Sequence, residues 1–269
     1  RRHSFPTRRS SDLEIAELTL DSRAACKGSL FLAIKGQKQD ARDWIKSAIA
    51  AGASAVLAEK GEAWQVDAYI DGVPVIVVEG LAQEVGRIAA RFYGNPSSQL
   101  RVCAVTGTNG KTSTSHLLAA SLTALEHKSA ILGTLGNGVY GALTESTHTT
   151  LDAGNLQAQF AQFVQAGAEF ACIEASSHGL QQGRLNGTQI EVALFTNLTR
   201  DHLDYHGTME SYAAAKEILF RWPSLKSAVL NADDPITAQF KAALSSSVKC
   251  WQYSVKADSG ADVVAKKVT

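Results

Sequence analysis

The stretch VCAVTGTNGKTST, residues 102–114, constrains this chain more than any other. A run of small and β-branched apolar residues ends at Thr106, a glycine turn follows, and Gly110-Lys111-Thr112 opens a helix-compatible segment. A buried strand that turns through glycines into a helix gathers backbone N–H groups and the positive helix end at one point, which suits an anion. Such a unit also belongs in an α/β architecture, because its helix must return to cover a parallel sheet. The spacing is shorter than the usual G-x-x-x-x-G-K-[ST] phosphate loop. Val105 stands where the first glycine of that pattern would fall, and the nearest upstream glycine is Gly107. In a nucleotide site Lys111 would reach the β and γ phosphates and the Thr112 hydroxyl would face Mg²⁺. The alternative is a glycine turn capped by Thr or Asn.

Patterning on either side agrees with that architecture. Before the loop, SLFLAIKG (29–36), ASAVLAE (53–59) and VPVIVVE (73–79) read as strands and ARDWIKSAIAAG (41–52) as a helix. LAQEVGRIAARFYG (81–94) sets Leu81, Val85, Ile88 and Phe92 on one helical face and ends at a glycine. Segment 95–100, opening with NPSSQ, reads as a linker. Beyond it, strands at 101–106, 128–133, 169–175, 190–197, 226–232 and 248–254 alternate with helices at 111–126, 153–166, 208–220 and 234–244. The expectation is an α/β protein with a small N-terminal domain at 14–94. A central P-loop-type domain at 101–269 follows, with a mostly parallel sheet flanked by helices and ligands beyond the strands' carboxyl ends. The last residues carry no closing helix, so the central domain reads as cut short. Residues 1–13, rich in arginine and serine with little to bury, read as a non-native tail.

Composition narrows the partners. Lys and Arg total 26 against 26 Asp and Glu, which provides no electrostatic footprint for nucleic acid or an anionic membrane surface. No apolar run approaches the roughly 20 residues of a membrane-spanning helix. Cys26, Cys103, Cys172 and Cys250 are widely separated, which fits a reducing cytoplasm and argues against disulfides or a cysteine metal site. Small molecules are the expected ligands of a cytoplasmic monomer.

Four further stretches carry candidate chemistry. In ACIEASSHGLQQGRL (171–185), Glu174 ends an apolar strand, where a carboxylate ligates a metal, pairs with a cation or is simply exposed. Ser176, Gln182 and Arg184 follow in a glycine-punctuated loop suited to polar contacts. In FTNLTRDHLDYHG (195–207), Asp201, His202, Asp204 and His206 crowd after another strand. His202 and His206 share a face if helical, which hints at zinc, whereas a nearby phosphate loop favours Mg²⁺; spacing does not choose between metal and supporting roles. Lys216 lies in the alanine-rich YAAAKEILF (212–220), where a solvated lysine is the ordinary reading. Thr149 and Thr150 precede a helix and either cap it or bind an anion.

Taken together, these clusters resemble the Mur ligases of cell-wall precursor synthesis, whose ATP site opens with a T-G-T-N-G-K-[TS] loop, here Thr106 to Thr112. LDSR (20–23), TGTNGKTST, HTTLDA, EASSHGL, FTNLTRDHLDYHG, YAAAK and NADD (231–234) are similar in order and spacing to the members that add the third residue of the precursor peptide. The similarity runs from about Ile15 to the end. It implies that Leu20, Ser22, Gln37, Lys38 and Gln39 serve a uridine pocket. It implies that Gly107, Thr108, Asn109, Gly110, Lys111, Thr112 and Ser113 hold ATP. His148, Thr149, Thr150, Ser176, Gln182 and Arg184 would contact the UDP-N-acetylmuramoyl-dipeptide. Thr112, Glu174, His202 and Lys216, the last carbamylated by CO₂, would hold Mg²⁺, with Lys111, Lys216 and His202 as catalytic groups. A carbamate is physically sensible there, since an ammonium beside Mg²⁺ is repelled whereas a carbamate offers an anionic oxygen.

The implied reaction is ATP-dependent formation of an amide bond between the dipeptide's D-glutamate and a diamino acid, through an acyl phosphate. Meso-diaminopimelate is the expected diamino acid, with L-lysine as the alternative. The resemblance also implies a C-terminal domain, expected to lie outside this chain, without which the chain alone would be inactive. A P-loop kinase or NTPase and a non-catalytic nucleotide-binding module are the competing readings.

Overall fold

The computed structural model describes residues 13–36, 39–146, 149–257 and 259–265. The expected tail up to Asp12 and the candidate residues Gln37, Lys38 and His148 lie outside the described residues. The chain divides into two compact units, one ending at Val85 and the other beginning at Gly86.

The first unit holds strands β1 (Glu17–Thr19), β2 (Ser29–Ala33), β3 (Ala55–Glu59), β4 (Ala68–Ile70) and β5 (Val73–Val78) in the order β1-β2-β3-β5-β4. All neighbours are parallel except the pair β4 and β5. Phe31, Leu32 and Ala33 are all buried in β2, as expected of a strand covered on both faces. Helix α1 (Ile45–Ala50) sets Ile45, Ala48 and Ile49 into the core at i, i+3 and i+4. The turn before it, Ala41–Trp44, is a 3-10 helix capped by the Asp40 side chain, so the helix expected from residue 41 begins more tightly wound. Strand β4 was not anticipated. It is the first arm of a two-residue hairpin through Asp71 and Gly72, both at positive φ (50° and 80°), a conformation that Asp-Gly adopts readily.

Helix α2 (Leu81–Phe92) buries Leu81, Val85 and Ala89, while Ile88 and Phe92 are half-buried, and Gly94 ends it at φ +73°. Within segment 95–100, expected to be a linker, Pro96–Gln99 form a 3-10 turn. Pro96 and Ser97 are buried there, and Ser97 Oγ accepts the Gln189 N–H at 3.0 Å.

The second unit adds β6 (Arg101–Thr106), α3 (Lys111–Ala124), β7 (Ser129–Gly133), β8 (Gly136–Val139), β9 (Ala142–Thr144), α4 (Ala153–Gln165), β10 (Phe170–Glu174) and α5 (Ser177–Gln181). It continues with β11 (Val192–Phe195), α6 (Leu203–His206), α7 (Met209–Glu217), β12 (Ser227–Asn231), α8 (Thr237–Ala243), β13 (Lys249–Ser254) and β14 (Val263–Val264). Among the described residues its sheet has nine strands, in the order β14-β13-β12-β11-β6-β10-β7-β8-β9. Every neighbour from β14 to β7 is parallel, and β8 and β9 complete an antiparallel edge. The expected α/β architecture with mostly parallel sheets is therefore the observed one.

Helix α4 packs Leu156, Phe160 and Phe163 into the same core as Phe195, Phe220 and Phe240. The rings of Phe220 and Phe240 stack with centroids 4.9 Å apart. Burying each such ring contributes about 2–3 kcal/mol. This core fixes β6 between β10 and β11, with Glu174 level with Val105 and Phe195 level with Thr106. Three strands thus end side by side, and the crevice past their carboxyl ends is where an open α/β sheet places its ligand.

Candidate functional site

The glycine loop lies at that crevice. Gly107 has φ +144°, and a Cβ on it would overlap Thr196 Oγ1, so only glycine fits. Gly110, at φ +84°, turns the chain into α3. The first N–H groups of α3 have no acceptor within the helix and open onto the crevice end of the sheet. Lys111 Nζ folds back onto the Gly107 and Thr108 carbonyl oxygens, at 2.9 Å each. Burial lowers the Lys111 pKa, with Glu174 and Asp201 opposing the shift.

Next to the loop, Glu174 is 2% exposed at the end of β10. Its carboxylate accepts the Thr112 hydroxyl at 2.9 Å, the Thr134 N–H at 2.8 Å and the Thr134 hydroxyl at 3.3 Å. A buried carboxylate held by hydroxyls and an amide, beside the loop threonine, is a donor set that fits a divalent cation with oxygen ligands. Magnesium commonly takes only one or two protein ligands and completes its shell with phosphate and water. Among the described residues, no three His, Cys, Asp or Glu side chains converge as a metal-binding group.

Thr149 and Thr150 lie on the same side. Thr134 Oγ1 and Thr149 Oγ1 meet at 3.0 Å. Thr150 Oγ1 donates to the Glu174 carbonyl at 2.8 Å and meets Ser176 Oγ at 2.9 Å. Arg184 donates to the Thr150 carbonyl at 2.8 Å and to Gln182 Oε1 at 2.9 Å. Gln182 Nε2 in turn donates to the Tyr205 hydroxyl at 3.0 Å. Thr150, Ser176, Gln182 and Arg184 therefore form one hydrogen-bonded chain that begins at the backbone of Glu174.

Lys216 is not the solvated helix lysine of the ordinary reading. It is 1% exposed, donates to the Gly107 carbonyl at 2.9 Å and lies 4.4 Å from the centre of the Tyr212 ring. Burial first, and Lys111 second, pull its pKa down to about 7. The Tyr212 hydroxyl meets Thr108 Oγ1 at 3.2 Å.

His202 is half-exposed, with Nε2 3.5 Å from Asp201 Oδ2. Its ring faces His178 at 5.0 Å and Tyr212 at 6.0 Å. His206 instead meets Ser177 Oγ through Nε2 at 2.9 Å, and its buried Nδ1 has no hydrogen-bond partner among the described residues. The two imidazoles flank His178 (5.0 and 5.2 Å between ring centres), and burial lowers the pKa of both His178 and His206. The structure thus joins Thr112 to Glu174 and Lys216 to the loop, and places His202 in a neighbouring aromatic cluster.

In the first unit, Leu20, Ser22 and Gln39 line a cavity of about 670 Å³ with Asp21, Arg23, Phe31 and Trp44. Leu20 follows β1 and Gln39 follows β2, so this cavity too opens past strand ends. Asp21 caps the 3-10 turn Ser22–Ala24 and pairs with Arg23 at 2.7 Å.

Sequence reasoning missed Thr134, Tyr212, Thr196 and Asn197. Tyr212 stands four residues before Lys216, a spacing that puts both on one helical face. Nothing local marks Thr134, which reaches Glu174 only because β7 pairs with β10.

Residues 14–93 match the model described as Mur ligase family, catalytic domain, and residues 105–269 match the Mur ligase middle domain. The UDP-N-acetylmuramoyl-L-alanyl-D-glutamate--2,6-diaminopimelate ligase of Pseudomonas aeruginosa is 52% identical over 223 residues, which cover 83% of this chain and 45% of that protein. The protein of the same name from Haemophilus influenzae is 46% identical over 233 residues, covering 86% and 48%. A solved structure of such a ligase superposes with a TM-score of 0.81 at 39% identity, covering 93% of this chain and 50% of the other. The chain spans about half the length of the curated relatives it matches.

Proposed function

The chain belongs to the Mur ligase family, and from that premise we propose that it forms the nucleotide- and acyl-substrate-binding part of an ATP-dependent amide-bond ligase. The substrates are UDP-N-acetylmuramoyl-L-alanyl-D-glutamate and meso-2,6-diaminopimelate, as in the names of its relatives. The observation that carries this reading is the convergence of Lys111, Lys216, Thr112 and Glu174 on one glycine loop.

In this reading residues 14–94 take the uridine nucleotide, in the cavity lined by Leu20, Ser22 and Gln39. Residues 101–269 take ATP on Gly107 to Ser113, and the enzyme works on small molecules as a cytoplasmic monomer. The D-glutamate γ-carboxylate attacks the ATP γ-phosphorus and ADP leaves. The diamino acid's amine then attacks the acyl carbon, and inorganic phosphate leaves. Lys111, released from the loop carbonyls, turns to the phosphates and offsets charge on the transferring group. The network of Thr150, Ser176, Gln182 and Arg184 orients the acyl substrate so that its carboxylate lies in line with the γ-phosphate. Thr112, Glu174, His202 and Lys216, the last as its carbamate, would hold magnesium. Magnesium, when bound there, supplies charge neutralisation at the phosphoryl oxygens.

A phosphate-release assay tests the proposal. Release should require ATP, the UDP-dipeptide and diaminopimelate together, and the product should gain one diamino acid. Release with ATP alone would establish an NTPase instead, and product formation with L-lysine in place of diaminopimelate would reassign the acceptor.

A further inference from the structure

Resting on the ATP-site reading, we infer that Thr196 and Asn197 are positioning residues that grip the phosphate loop from beneath and set which of its amides face the triphosphate. They begin the turn after β11, alongside the loop that leaves β6. The Thr196 hydroxyl lies between two loop carbonyls, 2.6 Å from Asn109 O and 3.2 Å from Thr106 O. The Asn197 side chain pairs with Asn109 in both directions. Its Oδ1 accepts the Asn109 N–H at 3.1 Å, and its Nδ2 donates to the Asn109 carbonyl at 3.1 Å. The Asn197 carbonyl accepts the Thr108 N–H at 2.7 Å.

Two consequences follow from this pairing. The amides of Thr108 and Asn109 are committed to Asn197, so the loop presents an anion with the amides from Gly110 onward, at the start of α3. Both lone pairs of the Asn109 carbonyl are also occupied, which turns that oxygen away from the phosphates it would otherwise repel. The supporting turn is itself fixed from its far side. Asn231 Nδ2 donates to the Thr196 carbonyl at 2.7 Å, and Asp234 accepts the Leu198 N–H at 2.7 Å. The Tyr253 hydroxyl donates to the Phe195 carbonyl at 3.1 Å. Asn231 and Asp234 of NADD (231–234) thus hold the turn that carries Thr196 and Asn197.

The test is binding of magnesium–ADP and, separately, of UDP to the purified protein and to Thr196→Val, Thr196→Ser and Asn197→Ala. We expect Thr196→Val and Asn197→Ala to weaken magnesium–ADP about ten-fold, the effect of one or two lost hydrogen bonds. Thr196→Ser should stay near the parent, and UDP affinity should be unchanged in all three. Unchanged ADP affinity in Thr196→Val and Asn197→Ala overturns the inference. A parallel loss of ADP and UDP affinity together with thermal stability also overturns it, since that marks a merely structural role. If the parent protein binds no magnesium–ADP, the ATP-site reading fails, and this inference fails with it.

Discussion

Lys111 and Lys216 converge on one acceptor, each placing Nζ 2.9 Å from the Gly107 carbonyl oxygen. Two amino groups on a single neutral oxygen, in a buried place, leave the site short of negative charge. A phosphate on the loop side and a carbamate on Lys216 would each supply it, which is why the ligase reading asks for both.

Replacing Lys216 by alanine should abolish turnover, by at least about a hundred-fold, with added bicarbonate failing to restore it. The check is tripeptide formation by the complete enzyme at saturating substrates. Near-normal turnover would reduce Lys216 to a buried packing residue.

The same lysine should tie stability to pH. Its folded pKa is about 7 against an ordinary 10.5, so between those values the unfolded chain holds a proton that the folded chain has lost. Stability contributed by this group therefore rises with pH across that window, by up to about 1.4 kcal/mol per pH unit, and is level on either side. Lys216→Met should lack the rise when denaturation midpoints are compared from pH 7 to pH 9.5 in CO₂-free buffer. Parallel curves for parent and variant would refute it.

Glu174→Gln preserves shape and keeps one oxygen to accept from Thr112 and Thr134, but removes the charge. We expect the magnesium concentration for half-maximal nucleotide binding to rise at least about ten-fold, with little change in melting temperature. A titration of fluorescent nucleotide with magnesium reads this directly, and an unchanged midpoint would exclude Glu174 from the cation site.

Gly133→Ala approaches the same group from β7. A Cβ at Gly133 would overlap the Glu174 carboxylate, and Gly133 is not among the glycines with positive φ. The variant should therefore fold, at a cost of about 1–3 kcal/mol for overpacking, while displacing Glu174 and weakening magnesium-dependent nucleotide binding. Intact magnesium dependence in the folded variant would show that the carboxylate position is not critical.

How much of this was legible beforehand depended on the range of the interaction. The glycine loop, the parallel strands and the helices between them follow from local periodicity, because a strand covered on both faces has to be apolar through its middle, as residues 102–105 of β6 and 170–173 of β10 are. Glu174 stood out because a charge closing such a run needs a partner. Lys216 read as ordinary because its burial depends on Tyr212 and on a carbonyl 109 positions away in sequence. The β8–β9 edge went unread because its glycines weaken any strand signal; Gly136 and Gly138 have φ near +148°, which few other residues would adopt. Thr196 and Asn197 were hidden inside a motif whose histidines and aspartates drew the attention, since hydroxyls and amides become informative only once their partners are known.

The groups assigned a part in the chemistry of the second unit sit at or past the carboxyl end of a strand, or on or next to a helix there. The opposite rim of the sheet carries none of them. The exposed turn Ser245–Ser247, which leads into β13 from that rim, is a site where a fluorophore or affinity handle can be grafted with the reaction machinery left undisturbed.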